Sequence, residues 1–93
     1  MFFMIIPRYR EMEFDLYRGD SPIQTIDDFR MGCLQGKVST LVGVDNSKVF
    51  YDEDRKRMVV NVEGRFSLFG LEDAVNAVGF NLVNTRPERA EAA

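Results

Sequence analysis

The chain has 93 residues, of which 45% are hydrophobic and 29% charged, and its formal net charge is -3. This length suits one domain that buries roughly two thirds of the surface its unfolded chain would expose. The acidic balance excludes a protein whose whole surface binds phosphate, because non-specific nucleic-acid binding depends on clustered Lys and Arg. A local basic patch is still compatible with it.

The first six residues are all apolar and are followed by Pro7 and Arg8. The run is shorter than the ~7 to 15 residue core of a signal peptide, and no stretch reaches the ~20 apolar residues that span a bilayer. We expect residues 1–6 to form a buried strand, in a hairpin with the next strand. An exposed terminus that binds a partner is the alternative.

Residues 10–18 alternate between apolar and polar side chains, which is typical of a strand with one face on a core. The apolar side consists of Met12, Phe14 and Leu16. The sequence therefore predicts a half-buried strand whose outer face, with Glu11, Glu13 and Asp15, is acidic.

A helix is expected next, starting at Ser21 or, more favourably, at Thr25, because both positions offer a capping residue. Gly36 is the expected end of this helix. Its predicted buried face contains Ile26, Phe29 and Cys33, with Leu34 beside them.

Three further strands are predicted as an antiparallel meander over residues 37–44, 48–51 and 57–68. The last of these alternates most regularly, and a short loop after residue 51 would set Tyr51 opposite Met58 and Val49 opposite Val60. These turns put one set of apolar residues on a common buried face: Val42, Val49, Tyr51, Met58 and Val60. Gly64 is compatible with either a bulge or a three-residue loop.

Residues 70–78 have the spacing of a second amphipathic helix, with Leu71, Ala74, Val75 and Val78 on one face. Gly79 is the expected left-handed stop, and a short strand over residues 80–83 follows. We expect residues 1–84 to form a single α+β domain and residues 85–93 to form a flexible tail. The predicted fold is a mainly antiparallel sheet with a central three-stranded meander and two helices on one face.

The sequence offers little for catalysis, because it contains no histidine. Cys33 lacks an activating base and is expected to be a core residue, and a lone cysteine favours a reducing, cytoplasmic compartment. The acidic runs at residues 27–28 and 52–54 fit a helix start and a solvated turn. We therefore expect no cofactor, no metal site and no enzymatic activity.

The sequence favours a small non-enzymatic module, an adaptor, subunit or inhibitor that binds a protein or associates with itself. Three groups of residues are the expected contacts: the apolar second sheet face with Leu41, Phe50 and Val59, the basic turn with Arg55, Lys56 and Arg57, and the acidic strand face with Glu11, Glu13 and Asp15.

The alternative is a nucleic-acid-binding domain that uses a local basic patch. Arg55, Lys56, Arg57 and Arg65 would form this patch, and Phe69 is a possible stacking residue. An enzyme that uses carboxylates alone is a third hypothesis.

Overall fold

The computed structural model describes residues 8–83 and, as backbone, residues 89–90. The elements are β1 (Arg10–Arg18), β2 (Ser21–Pro22), α1 (Asp28–Ser39), β3 (Val44–Asp52), β4 (Arg57–Gly64), α2 (Leu68–Asn76), β5 (Asn81–Val83) and β6 (Arg89–Ala90). Two helices and a mainly antiparallel sheet confirm the predicted α+β class.

Strand β1 is the centre of the sheet and is paired along both of its edges. Asp15 is opposite Val59 of β4 on one edge and opposite Val83 of β5 on the other. Strand β6 pairs with the start of β1, and β2 forms a short hairpin with its end. Because β3 pairs with β4, the central strands follow the order β1, β4, β3.

The core lies between one face of this sheet and the two helices, because the even-numbered residues of β1 and β4 all point to the helical side. Met12 is opposite Val62 and Phe14 is opposite Val60 in the β1–β4 register. The buried cluster comprises Met12, Phe14, Leu16, Leu34, Val38, Met58, Val60, Val62, Phe66, Leu71, Val75 and Phe80. The prediction that both helices pack on one face of the sheet is confirmed.

The predicted register of the β3–β4 hairpin is confirmed. Tyr51 is opposite Met58 and Val49 is opposite Val60. Met58 and Val60 are buried in the core, and Val49 packs against it. Tyr51 is on the predicted side of the sheet, but near the end of β3 it keeps 43% of its surface exposed and is not buried as predicted.

The predicted strand over residues 37–44 is wrong, because α1 continues through Gly36 to Ser39. Leu34 and Val38 both have no exposed surface, and their burial stabilises the extra turn that Gly36 was expected to prevent. Val42 then falls in a turn with 89% of its surface exposed. The third central strand is therefore β1.

The buried face of α1 also differs from the predicted one. The helix begins after Asp27, whose Oδ1 accepts a 2.8 Å hydrogen bond from the backbone N–H of Arg30. With the helix in this phase, Phe29 is 80% exposed and Cys33 is only half-buried. Leu34, which was predicted beside that face, lies in the core as expected, and Val38 is the second core residue of the helix.

Two glycines permit the chain between α1 and β3 to approach the end of β4. Gly43 has a φ of +91° and Gly64 a φ of +144°, both in the region that favours glycine. A Cβ added to Gly43 would overlap the carbonyl oxygen of Arg65, and one added to Gly64 would overlap that of Gly43. Gly64 ends β4, and the irregularity in pairing lies in β3 between Val44 and Asn46.

The second helix is confirmed, two residues earlier than predicted, with Ser67 as its cap. Leu71 and Val75 are fully buried, as the spacing indicated. Gly79 has the expected positive φ of +96°, and Phe80 after it is 3% exposed.

Strand β3 lies at the edge of the described sheet, and a side chain of α1 covers part of this edge. The backbone N–H of Val49 donates a 3.2 Å hydrogen bond to Oε1 of Gln35. An edge amide that would otherwise face solvent is thereby satisfied within the domain.

Some predictions fall outside the described residues: the N-terminal strand, and most of the tail expected to be flexible. Within the tail, Arg89–Ala90 pairs with β1. In the part of the chain that the structure describes, neither helix has the length and apolar character that crossing a membrane requires.

We expect Gly43→Ala to lower the free energy of unfolding by about 2 to 4 kcal/mol, because the added Cβ meets backbone that cannot rotate away and the positive φ becomes strained. Urea denaturation measures this loss. Gly32→Ala is the matched control: a Cβ there meets nothing within 4 Å, and Ala in a helix is favoured by up to about 1 kcal/mol. Equal stabilities of the two variants would contradict the close approach.

Candidate functional site

A charged cluster is buried on the outer face of the sheet, which we define as the face opposite the helices. At its centre is Asp15 of β1, which has no exposed surface. Arg55, in the turn between β3 and β4, donates a short hydrogen bond to Oδ2 of Asp15, and Nη1 of Arg57 donates a second at 3.0 Å. The cluster therefore ties the β3–β4 turn to the central strand.

The cluster extends to Tyr17, whose hydroxyl oxygen accepts a 3.1 Å hydrogen bond from Nη1 of Arg57. The guanidinium also lies 5.9 Å from the centre of the Tyr17 ring. The hydrogen bond to Asp15 and the electrostatic interaction with Tyr17 raise the pKa of Arg57 above its ordinary value.

The structure brings two of the predicted contact groups together. The acidic strand face and the basic turn were both expected to contact a partner, yet Asp15 forms ion pairs with Arg55 and Arg57 within the domain. Asp15 itself cannot touch a partner, because it has no exposed surface. Lys56, with a φ of +54°, is exposed, as are Glu53 and Asp54 in the same turn.

The predicted apolar face is divided between the two sides of the domain. Phe50 and Val59 are opposite each other on the outer face, as expected. Val59 is fully buried. It lies between Phe50 of β3 and Asp15 of β1, where the side chains of Arg55 and Arg57 meet Asp15. Leu41 is not part of this face: it follows α1 and packs against the core on the helical side.

A second polar group occupies the other end of the outer face. Oε1 of Glu63 accepts a 2.7 Å hydrogen bond from the hydroxyl of Tyr9 and a 3.3 Å bond from Nδ2 of Asn46. These two bonds, the one from Tyr9 first, lower the pKa of Glu63. Glu11 is nearby, where its Oε2 accepts a 3.3 Å bond from Nδ2 of Asn61. Glu13, two residues after Glu11 in β1, is half-buried.

The four residues of the predicted basic patch do not lie together. Arg57 and Arg65 are at opposite ends of β4, about 25 Å apart at roughly 3.3 Å per residue. Arg55 and Arg57 are paired with Asp15. Lys56 and Arg65 are both exposed, but at opposite ends of β4.

An apolar surface that the sequence did not reveal lies where α1 and α2 meet. The side chain of Leu41 packs against Gly70, where an added Cβ would be 3.3 Å from Cδ1 of Leu41. The chain neighbours of these two residues, Val42 and Phe69, are 89% and 81% exposed. We call Leu41, Val42 and Phe69 the junction patch. The signals in the sequence were Phe69, which is out of phase with the preceding alternation, and Leu41, which was expected to contact a partner on the sheet face.

Within residues 8–83, no group of three or more His, Cys, Asp or Glu side chains is arranged to hold a metal ion. Comparison of the chain with family models, with curated proteins and with solved structures yields no match. Any functional conclusion therefore depends on the geometry of the surfaces described above.

We expect removal of both arginines from the cluster to destabilise the domain more than removal of Asp15. Arg55→Met with Arg57→Met leaves a buried carboxylate without its partners, whereas after Asp15→Asn the arginines, which keep 26% and 34% of their side-chain surface exposed, can be hydrated. Asp15→Asn itself should cost about 1 to 3 kcal/mol. Urea denaturation of the wild-type protein, the double arginine variant and Asp15→Asn gives the order of their free energies of unfolding.

Combining the two arginine substitutions with Asp15→Leu provides the control, since an apolar triad of similar volume removes the buried charge altogether. This variant should recover most of the stability lost with the arginines. Additive losses across the three substitutions would mean that the groups do not interact.

Glu63 should make the stability of the domain depend on pH in the acidic range. Since its folded pKa lies below the ordinary value of 4.5, its contribution is complete above that pH and is lost as the pH falls through the folded pKa. Tyr9→Phe should raise the pKa of Glu63 as followed by carboxyl carbon shifts in NMR titration. Tyr51→Phe, a change on an exposed tyrosine, should leave it unaltered, and equal shifts in both variants would exclude the Tyr9 bond as the cause.

Proposed function

We propose that this domain is a small non-enzymatic module that binds a protein partner through the junction patch. The observation that carries the proposal is the exposure of Val42 and Phe69, 89% and 81%, beside a third apolar residue, Leu41. Neighbouring large apolar groups that are left in water on one side of a domain are typical of surfaces that a protein covers.

The patch is presented by fixed backbone, which lowers the entropy lost on binding. Leu41 is held at both sides, because its N–H donates to the carbonyl of Val38 and its carbonyl accepts from the N–H of Val44, each at 3.2 Å. The N–H of Arg65 donates a 2.8 Å bond to the carbonyl of Gly43. The turn that carries Val42 is therefore anchored at residues 41, 43 and 44.

The charges next to the patch indicate the chemistry of the partner. Glu72 and Asp73 are exposed on α2, three and four residues after Phe69, and so flank it on the same helical face. The described part of α2 contains no basic residue. We infer that the partner presents an apolar side chain with Lys or Arg beside it.

The outer face provides a second proposed contact surface. The residues expected there that keep exposed surface are Glu11, Glu13, Phe50, Arg55, Lys56 and Arg57. Asp15 and Val59 are buried below these side chains and would fix their positions. The lone cysteine supports the proposal of a reducing, cytoplasmic compartment.

Nucleic-acid binding is less well supported, because two of its four proposed arginine and lysine contacts are paired with Asp15 and Arg65 lies at the other end of β4. Salt dependence separates the two functions. Phosphate contacts cause affinity to fall steeply between about 50 and 200 mM salt, and a contact dominated by apolar groups does not.

Photo-crosslinking tests the junction patch directly. With benzoylphenylalanine at position 69, exposure to light in the native cell should give one discrete product, a covalent complex with a partner or with a second copy. The same group at position 29 is the matched control, since Phe29 is equally exposed at 80% but lies at the start of α1. Val42→Ser should abolish the product at position 69.

Three outcomes would contradict the proposal: no product at position 69, the same products at both positions, or a product that Val42→Ser leaves unchanged. Sedimentation of the purified domain then distinguishes a second copy from a different protein.

A further inference from the structure

A shallow depression lies between the β1–β2 hairpin and the residue that precedes β5. Its volume is about 280 Å³, and its polar lining consists of Arg18, Ser21, Gln24 and Thr25. Pro22, Ile23 and Phe80 form the apolar part of the wall. This depression is separate from both the outer-face cluster and the junction patch.

Arg18 is held at the depression by an aromatic ring and not by an acid. Its guanidinium carbon lies 5.5 Å from the centre of the Phe80 ring, and Phe80 is itself 3% exposed. Within the described residues, the Arg18 side chain makes neither a hydrogen bond nor an ion pair. A cation–π contact with a buried ring holds the guanidinium beside the depression and leaves its N–H groups available.

The other polar groups of the depression also lack hydrogen-bond partners within the described residues. The hydroxyls of Ser21 and Thr25 and the amide of Gln24 form no hydrogen bond with any part of the described chain. One cation and three neutral donors therefore line the same depression.

The backbone around these groups is fixed. The N–H of Ile23 donates to the carbonyl of Leu16, and its carbonyl accepts from the N–H of Met58, both at 2.9 Å. Gly19 and Asn81 form a reciprocal pair in which the Gly19 N–H donates at 3.0 Å and the Asn81 amide donates back at 3.2 Å. A fixed main chain lowers the cost of ordering the side chains that it carries when a ligand binds.

We propose that this depression binds the carboxylate of a small organic acid, independently of the protein-binding function. Arg18 would donate a pair of hydrogen bonds to the carboxylate, the hydroxyls of Ser21 and Thr25 would complete its coordination, and the apolar body would lie on Pro22 and Ile23. Asp20, exposed in the same hairpin turn, disfavours a second negative charge. A monoanion therefore suits the site better than phosphate does.

Amide NMR shifts during titration test the proposal at constant pH and ionic strength. Benzoate should give saturable shifts confined to residues 18–25 and Phe80. Benzamide, which has the same ring without the charge, should bind at least about tenfold more weakly. Inorganic phosphate should also bind more weakly than benzoate, because it makes no apolar contact.

Arg18→Gln should weaken benzoate binding at least about tenfold. Lys37→Gln is the control, since it removes the same charge from an exposed position at the end of α1. Ser21→Ala with Thr25→Val, which removes only hydroxyls, keeps the test decisive should Arg18→Gln fail to fold, and it should weaken benzoate several-fold.

Four results would overturn the proposal: benzoate affinity retained in Arg18→Gln or in the double variant, equal weakening by Lys37→Gln, phosphate binding tighter than benzoate, or shifts that spread over the surface without saturating.

Discussion

The rest of the structure depends on the pairing of β1 with β4. This register aligns the even-numbered residues of two strands, so that Met12, Phe14, Val60 and Val62 present one apolar surface to both helices. The same register aligns Asp15 with Val59 on the other face, within reach of the β3–β4 turn. A shift by one residue would exchange the two faces and expose the core while burying the acidic residues.

The two proposed surfaces are formed by different elements of this fold. The junction patch exists because α1 continues to Ser39 and delivers Leu41 and Val42 to the start of α2. The depression at Arg18 exists because the end of β1 is fixed by Ile23 on one side and by Asn81 on the other. The two proposed contacts therefore use separate sets of residues.

The sequence correctly predicts those elements in which the residues that periodicity assigns to the core are the ones that are buried. Strand β1 begins and ends where the alternation does, and α2 buries the residues that its spacing indicated. The end of α1 could not be predicted, because Gly36 is a local stop signal whereas the burial of Leu34 and Val38 is a tertiary effect. Alternation likewise assigns Asp15 to a face but does not reveal whether that face is covered. The residues that cover it are 40 and 42 positions away in the chain.

The hydrogen bond from Val49 to Gln35 bears on how this domain meets other chains. Edge strands recruit further strands when their amides are unoccupied and regularly spaced. In β3 the amide of Val49 is bonded to a side chain of α1, and the strand carries a charged residue, Lys48. Its pairing with β4 is irregular between Val44 and Asn46. These features make strand addition at this edge less favourable. Fewer amides of β3 are therefore available for the edge-to-edge pairing to which small antiparallel sheets are prone.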